Sequence, residues 1–298
     1  MSRIDLHIHS SISDDGELSA GEIAAQCRAQ NMSLIAVTDH NSVRAVPEAL
    51  AAADELQVLS GVELDCTYGG RNFHLLGYGF DPACREFEIV EQDILRQEKA
   101  AAEEKIRLFQ KATGIPVDTA KVLAASKNGV VTGELIAEHV LSQRDAKQYE
   151  LLRPYLPGGS KNDMPNVRFY WDFFSKGKPA YVPIRYLTLP DAAAIIHNAG
   201  GIAVLAHPGQ NLAGDNTLLY AIISERIEGI EVFSSYHSKA ASEYYLRIAQ
   251  QHRLLVTCGS DFHGRQKPNI RLGGHGASWT DDQLMAGINA LLSCGRIH

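Results

Sequence analysis

The chain has 298 residues, of which 45% are hydrophobic, so it can bury a large core as one barrel with a modest insertion. Its formal net charge of −7 at pH 7 argues against a protein that grips long duplex nucleic acid, because such proteins usually present a basic surface. Five cysteines without a C-x-x-C pair, no signal-peptide pattern and no run of about eighteen apolar residues predict a cytoplasmic protein without disulfide framework or membrane contact.

The first 80 residues alternate between short apolar strands and amphipathic helices. The segments "RIDLHIH", "LIAVTDHNS" and "VLSGVELDC" are predicted as strands, and "SAGEIAAQCRAQ" and "VPEALAAADEL" as the helices between them. A hairpin, "GGRNFHLLGYG", follows the third strand. This order of strands and helices favours a parallel sheet.

Residues 81–186 have a different character. The segment "EIVEQDILRQEKAAAEEKIRLFQKATG" predicts a long charged amphipathic helix that ends at Gly114, and "GELIAEHVLSQ" predicts another helix. The Pro-, Gly- and Asn-rich segment "RPYLPGGSKNDMPN" is typical of a mobile loop and is a candidate lid over an active site. We therefore expect a mostly helical insertion subdomain here.

After the insertion the alternation of strands and helices resumes. The segments "DAAAIIHNAG" and "SEYYLRIAQQHR" are predicted as helices, and "GIAVLAHPG", "IEGIEVFSS" and "LLVTCGSDFHG" as strands. The number of such units favours closure of the sheet into a barrel, formed by residues 1–80 and 187–298 together.

Nearly every predicted strand ends in side chains that can bind a metal ion. In a parallel α/β barrel the carboxyl ends of the strands build the functional site, so residues far apart in sequence meet there. A single histidine at a strand end is more often a hydrogen-bonded structural residue than a ligand. Burying many ionisable groups around one point without a cation would be prohibitive, however, so the whole set predicts a metal cluster. The candidates are His7, His9, Asp14, Asp39, His40, Glu63, His74, His207, Asp261 and His263.

The types of these side chains limit the metal. Imidazole and carboxylate without thiolate suit Mn²⁺, Zn²⁺ or Fe²⁺, and a carboxylate such as Glu63 can bridge two ions. Cys258, two residues before "SDFH", is interpreted as a core residue.

Five motifs, "DLHIHS", "VTDH", "GVE", "AHP" and "SDFH", occur in this order. Together they resemble the PHP (polymerase and histidinol phosphatase) family, over roughly residues 1 to 80 and 187 to 270. The resemblance implies an α/β fold, a distorted (βα)7 barrel, that holds two to three divalent ions, with Mn²⁺ expected and Zn²⁺ or Fe²⁺ as alternatives. Carried over residue by residue, it implies that His7, His9, Glu63 and Asp261 hold one metal, Glu63, His74 and His207 a second, and Asp14, His40 and His263 a third.

The insertion and the motif "GKPAYVP" that follows it resemble one branch of this family, which acts on nucleoside 3′,5′-bisphosphates and on the 5′ ends of short RNA oligonucleotides. That branch commonly carries an arginine where this chain has Gly133, which puts the substrate contacts in question. Lys178, Arg144 or Arg168 could supply the missing cation, Lys178 first because it lies in the matching stretch. Solvated surface is the alternative interpretation of each.

The resemblance also predicts a mechanism, in which a hydroxide held between two metals attacks phosphorus while the metals neutralise phosphoryl charge. Glu63 would be catalytic as the bridging ligand. His237 could bind phosphate or protonate the leaving group, and Asp39 could orient His40 or touch the substrate. Structural hydrogen bonding is the alternative for His237 and Asp39 alike.

Three functions are consistent with the sequence. The first is a phosphoesterase that removes the 3′-phosphate of a small nucleotide such as adenosine 3′,5′-bisphosphate, with short 5′-phosphorylated oligonucleotides as further substrates. The second is a small-metabolite phosphatase of the histidinol phosphate type. The third is a non-catalytic PHP module, which the filled set of ligand positions disfavours.

Overall fold

The computed structural model describes residues 2–212 and 214–292. Residues 293–298, which the sequence analysis assigned to the barrel and which include Cys294, lie outside the described residues. The chain forms two compact units. The first comprises the described residues up to Val90, Tyr186–His263 and those from Ile270; the second comprises Glu91–Arg185 and Gly264–Asn269. The sequence placed the first boundary at residue 81, ten residues before the start of the second unit.

The first unit contains one eight-stranded sheet. Its strands are β1 Ile4–Ile8, β2 Leu34–Val37, β3 Gln57–Tyr68, β4 Arg71–Tyr78, β5 Leu187–Thr188, β6 Ile202–Leu205, β7 Gly229–Ser234 and β8 Leu255–Gly259. The spatial order is β1-β2-β3-β4-β6-β7-β8, and the short β5 pairs with β3 beside this path. Neighbours are parallel except β4, which runs antiparallel to β3 and β6.

Hydrogen bonds between the end of β8 and the start of the sheet nearly close it into a barrel. The Asp261 N–H donates to the His7 carbonyl at 2.8 Å, and the His9 N–H donates to the Phe262 carbonyl at 2.9 Å. The predicted α/β barrel is therefore confirmed, and the antiparallel hairpin of β3 and β4 is its main distortion.

The α-helices are α1 Ala20–Ala29, α2 Val46–Ala51, α3 Arg85–Thr113, α4 Thr119–Ala125, α5 Gly133–Leu141, α6 Pro165–Phe173, α7 Leu189–Asn198, α8 Pro208–Asn211, α9 Asn216–Ile223, α10 Lys239–His252 and α11 Asp281–Leu292. Short 3₁₀ helices cover Ala146–Gln148, Glu150–Tyr155 and Gly264–Gln266. Among the described residues, no helix is both long and apolar enough to span a membrane.

The strands and helices of the first unit form where the sequence provides apolar stripes and caps. Every residue of β1 and β2 is buried, as expected of parallel strands covered on both faces. Helix α1 begins with a capping box, in which the Ser19 hydroxyl accepts from the Glu22 N–H and the Glu22 carboxylate accepts from the Ser19 N–H. Its buried face packs against Ile35 of β2 in one apolar cluster.

The second unit has its own apolar core. Phe109 of α3, Ile136 of α5 and Phe169 of α6 belong to one buried cluster, which lets this unit bury surface independently of the sheet. Helix α3 ends at Gly114, as predicted, where a φ of +70° favours glycine. The segment expected to be a mobile loop, residues 153–166, begins inside the 3₁₀ helix Glu150–Tyr155 and ends in the first two residues of α6, so both of its ends are regular structure.

Candidate metal centre

The carboxyl ends of β1, β2, β6 and β8 bring the predicted ligands to one place in the first unit, and the β3–β4 hairpin adds two more. The backbone fixes how β2 and β3 meet there, because the Asn41 N–H donates to the Glu63 carbonyl at 2.8 Å and the Glu63 N–H donates to the Asp39 carbonyl at 3.1 Å. His40 therefore lies beside Glu63.

One carboxylate, Glu63, lies at the centre of the site and is 1% exposed. Its Oε1 is 2.8 Å from Nδ1 of His74 and 3.1 Å from Nε2 of His207, and its Oε2 is 3.3 Å from Nε2 of His7, 3.1 Å from Nε2 of His9 and 3.3 Å from Nδ1 of His40. A carboxylate with imidazoles gathered at each of its oxygens has the arrangement needed to bridge two cations.

A second carboxylate, Asp261, completes one group of ligand atoms. Its Oδ1 lies 3.4 Å from Nε2 of His7 and 3.1 Å from Nε2 of His9. His7, His9, Glu63 and Asp261 are all buried and close enough together to hold one ion.

A second group consists of His40, Glu63 and His74, whereas the resemblance implied His207 in place of His40. The third group of ligand atoms contains Asp15, whereas the resemblance implied Asp14 for this position. Asp15 Oδ2 is 3.1 Å from Nε2 of His263, and His9 and His40 complete the group. The two acidic residues are adjacent in "SDDG", so the motif alone does not distinguish them. The conformation of this loop brings the carboxylate of Asp15 into the group with His9, His40 and His263.

Unsatisfied nitrogens show that the site fits a cation. Within the described residues, Nε2 of His7, Nε2 of His9 and Nδ1 of His40 are buried and make no hydrogen bond of regular geometry, although carboxylate oxygens of Glu63 and Asp261 lie 3.1–3.4 Å from them. Leaving a buried polar atom unpaired costs about 1–3 kcal/mol, and a metal ion is a natural acceptor of these lone pairs. The predicted metal cluster is thus compatible with the residues present.

The electrostatics of the site also favour a cation. Burial disfavours the charged form of His9, but the Asp261 and Glu63 carboxylates outweigh this effect and raise its pKa to about 9. Burial alone would raise the pKa of Glu63, yet the neighbouring His7, His74 and His40 hold that pKa well below its usual range. Glu63 therefore keeps its negative charge beside these imidazoles.

Three of the eight described non-glycine residues with a positive φ lie at or beside this site. Asn41, His207 and Asp261 have φ values of +53°, +21° and +57°. Such conformations in non-glycine residues cost of order 1–3 kcal/mol each and persist where the surrounding structure enforces them, which is common at functional sites.

Asp39, predicted to orient His40 or to touch the substrate, contacts two serines. Its Oδ1 accepts from the Ser10 N–H at 2.7 Å and from the Ser13 hydroxyl at 2.8 Å, and its Oδ2 accepts from the Ser10 hydroxyl at 2.6 Å. Ser13 Oγ in turn lies 3.2 Å from Nδ1 of His9 and accepts from the His40 N–H at 3.0 Å. Asp39 therefore reaches both histidines through Ser13.

His237, predicted to bind phosphate or protonate a leaving group, has both ring nitrogens at the main chain. Nδ1 lies 2.9 Å from the Val232 carbonyl oxygen, and Nε2 accepts from the Gly209 N–H at 3.0 Å. Burial lowers its pKa below the usual value, so the neutral ring is favoured. These contacts are those of the structural alternative considered from the sequence.

Other side chains that the sequence analysis did not single out also reach the site, among them Asp65 and Tyr236. Asp65 Oδ1 lies 3.2 Å from Nε2 of His74, and the Tyr236 hydroxyl donates to Asp261 Oδ2 at 2.5 Å. Asp65 was within reach of sequence reasoning, because it lies two residues after Glu63 on the same strand and hence on the same face. Tyr236 carries no comparable signal beyond its position next to His237.

The candidate substrate-binding cations belong to the second unit. Arg168 forms a two-pronged ion pair with Asp163, at 2.6 and 2.5 Å, while Arg144 and Lys178 are exposed. Gly133, where the related branch has arginine, faces the ring of Phe174: a Cβ added there would lie 2.7 Å from that ring.

Comparisons with known proteins are consistent with this site. The PHP domain model matches residues 5–147. A 3′,5′-nucleoside bisphosphate phosphatase of Chromobacterium violaceum is 30% identical over 95% of this chain and 93% of its own length. A 5′-3′ exoribonuclease of Haemophilus influenzae is 31% identical over 88% of this chain and 90% of its own. A solved structure from Bifidobacterium adolescentis, described as a candidate metal-dependent phosphoesterase, has a TM-score of 0.75 at 25% identity and covers 99% of this chain and 96% of its own.

Proposed function

The chain belongs to the PHP domain family of metal-dependent phosphoesterases, and we propose that it hydrolyses the 3′-phosphate of nucleoside 3′,5′-bisphosphates, giving a 5′-nucleotide and phosphate. The observation that carries the proposal is Glu63, a buried carboxylate surrounded by imidazoles on both oxygens. The proposed substrate is supported by the similarity to the relatives from C. violaceum and H. influenzae, which are named a nucleoside bisphosphate phosphatase and an exoribonuclease.

The residues of the chain would hold two to three divalent ions, with Mn²⁺ as our first choice. His7, His9, Glu63 and Asp261 would hold one ion. Glu63, whose Oε1 lies near His74 and His207, would hold a second with them. His40, His263 and an acidic residue of the "SDDG" loop would hold a third. When bound, such ions lower the pKa of water and neutralise charge on phosphoryl oxygens. No side-chain nucleophile is required.

The protein side chains would orient the ligand nitrogens. The Ser13 hydroxyl, which itself donates to Asp39, accepts from Nδ1 of His9 and leaves Nε2 available. The Tyr236 hydroxyl holds Asp261 through Oδ2 and leaves Oδ1 toward His7 and His9. Such outer hydrogen bonds fix the geometry of metal ligands and tune their basicity.

We further propose that the 5′-phosphate acts as a handle. A phosphate that does not react can supply binding energy that is realised in the transition state. Lys178, Arg144 and Arg168 are our candidates to bind it. In a short 5′-phosphorylated oligonucleotide, the first internucleotide link would take the place of the 3′-phosphate, so the same site would act as a 5′ to 3′ exonuclease on short strands.

A panel of substrates with Mn²⁺ tests this function. Adenosine 3′,5′-bisphosphate should give 5′-AMP and phosphate with a kcat/KM at least tenfold above that of 3′-AMP, which corresponds to about 1.4 kcal/mol of transition-state stabilisation. Equal rates on 3′-AMP would refute the handle. Histidinol phosphate as the best substrate would replace the proposed function with that of a small-metabolite phosphatase.

A pair of lysine variants tests the proposed cation. Lys178→Ala should lose the preference for the bisphosphate over 3′-AMP, while Lys176→Ala, which removes another exposed lysine of the same turn, should keep it. Loss of the preference in both variants, or in neither, would argue against Lys178.

A further inference from the structure

Glu231 is a carboxylate buried in the middle of β7, with no exposed surface. A charged group in such a position requires partners, because an uncompensated buried charge is costly. Its Oε1 lies 2.9 Å from Nδ1 of His7, and its Oε2 accepts from the backbone N–H of His207 at 2.8 Å. Glu231 therefore contacts two proposed metal ligands at once.

The contact with His7 determines which ring nitrogen carries the proton. Oε2 already accepts from the His207 N–H, and a carboxylate oxygen acts as an acceptor, so Nδ1 of His7 is assigned as the donor to Oε1. In the neutral ring this leaves the lone pair on Nε2, which lies 3.3 Å from Glu63 Oε2 and 3.4 Å from Asp261 Oδ1. That nitrogen is the one aimed at the proposed metals.

The contact with His207 holds a strained backbone. His207 has a φ of +21°, a sparsely populated conformation for a residue with a side chain. The Glu231 carboxylate fixes the N–H of this residue, and the imidazole of His207 then reaches Glu63 Oε1 at 3.1 Å.

The fold makes room for this carboxylate at Gly259. A Cβ added to Gly259 would lie 2.1 Å from Cβ of His7 and 2.5 Å from Oε1 of Glu231, so no side chain can be accommodated there without displacing one of them. The pairing of β7 with β8 is also irregular between Glu231 and Phe233. Such irregularities reorient side chains and are common next to active sites.

We infer that Glu231 is a positioning residue of the metal centre: it sets the tautomer of His7 and fixes the backbone of His207, so that both imidazoles present Nε2 to the metals. This role rests on the metal centre of the proposed function but not on the identity of the substrate. Loss of an outer partner of this kind typically weakens metal binding by about 10- to 100-fold.

Glu231→Gln tests the role with almost no change in shape. An amide offers one acceptor and one donor, whereas both contacts of Glu231 require an acceptor. If the amide oxygen faces the His207 N–H, the NH₂ group faces Nδ1 of His7 and moves the ring proton to Nε2. If the amide is reversed, it opposes the His207 N–H donor with another donor.

Glu228 offers a matched control just before β7. Its Oε2 accepts from the Ala203 N–H at 2.8 Å and lies 3.0 Å from Nε2 of His197, so it also joins a backbone N–H to an imidazole. His197 belongs to none of the ligand groups. Glu228→Gln therefore makes the same chemical change away from the metals.

Calorimetric titration with Mn²⁺ provides the readout. Glu231→Gln should bind Mn²⁺ at least tenfold more weakly than the wild type, or lose one equivalent, while Glu228→Gln should match the wild type. Equal affinities in wild type and Glu231→Gln would overturn the role of Glu231 alone. A wild-type protein that binds neither Mn²⁺ nor Zn²⁺ would instead refute the metal centre itself, and the role with it.

A second measurement does not depend on the folding of any variant. In the Zn²⁺-loaded wild-type protein, nitrogen-15 NMR of the histidine rings should show a proton on Nδ1 of His7. A metal-bound or unprotonated Nδ1 would overturn the inference.

Discussion

Glu63 is the residue on which the proposed chemistry depends most directly. Replacing it with Gln keeps the size of the side chain but removes the charge that bridging two cations requires. We expect Glu63→Gln to reduce turnover by roughly a thousandfold or more while the fold is retained. Steady-state kinetics with Mn²⁺ and circular dichroism together check this. Glu55→Gln, on the surface, should behave as the wild type, and activity of Glu63→Gln near that level would remove the bridging assignment.

Asp14 and Asp15 can be separated by experiment. The structure brings Asp15 to His263, whereas the sequence pattern suggested Asp14. We expect Asp15→Asn to lose about one equivalent of bound metal and Asp14→Asn to lose less, because only the former removes the carboxylate next to Nε2 of His263. Elemental analysis after reconstitution with Mn²⁺ decides between them, and the opposite ranking would restore Asp14.

For single residues, the sequence identified candidate ligands at the ends of strands, because the motifs show both their position and their residue type. It could not fix the partners of those side chains. Glu231 is an acidic residue within the apolar run "GIEVF", a visible anomaly, but its contact with His7 depends on the pairing of strands far apart in sequence. The contacts of His237 with the main chain likewise arise only in the folded chain.

The packing of α5 against α6 explains the departure at Gly133. A Cβ there would lie 2.7 Å from the ring of Phe174 and 2.9 Å from that of Tyr170, and Phe174 is buried. Introducing the arginine of the related branch as Gly133→Arg should therefore lower the free energy of unfolding of the second unit, by about 1–3 kcal/mol or more, through overpacking.

Urea unfolding followed by circular dichroism measures this effect. Glu138→Arg adds the same side chain to the exposed surface of α5 and serves as the control, with an expected change of less than about 0.5 kcal/mol. If both variants were equally stable, the packing of α5 against α6 would not account for the glycine.

Among the elements, those with a clear apolar period and a cap were predictable. Helix α1 carries the capping pattern of Ser19 and Glu22, and α3 carries its stop at Gly114. Helix α6 was not predicted as a separate element, because the stretch before it is rich in Pro, Gly and Asn and the predicted loop overlaps its first two residues, Pro165 and Asn166. Its Val167 and Phe169 are buried in the folded unit, so its place in the core depends on tertiary packing.

For the whole molecule, the proposed ions should act as a stabilising ligand. Buried carboxylates are costly unless positive charge lies beside them, and bound cations would supply that charge. A ligand that binds only the folded state stabilises it by about 2.7 kcal/mol at a hundredfold excess over Kd. We expect chelation with EDTA to lower Tm by several degrees and Mn²⁺ to restore it. Scanning calorimetry measures this, and a Tm independent of both treatments would contradict it.

The barrel as a whole followed from the alternation of strands and helices, because parallel strands need crossovers and most crossovers are helical. The antiparallel course of β4 was suggested by the hairpin motif, whereas its pairing with β6 was not, since that pairing joins segments on either side of the whole insertion.

The hydrogen bonds that join the segment after β8 to β1 connect residues that are synthesised at very different times. His7 and His9 leave the ribosome first, while Asp261 and His263 leave it only after the entire second unit. Glu63 and His74 can meet early, in their hairpin, but both four-membered ligand groups lack a member until the last strand has been made. A chain cut short before Asp261 would therefore contain neither four-membered group in complete form.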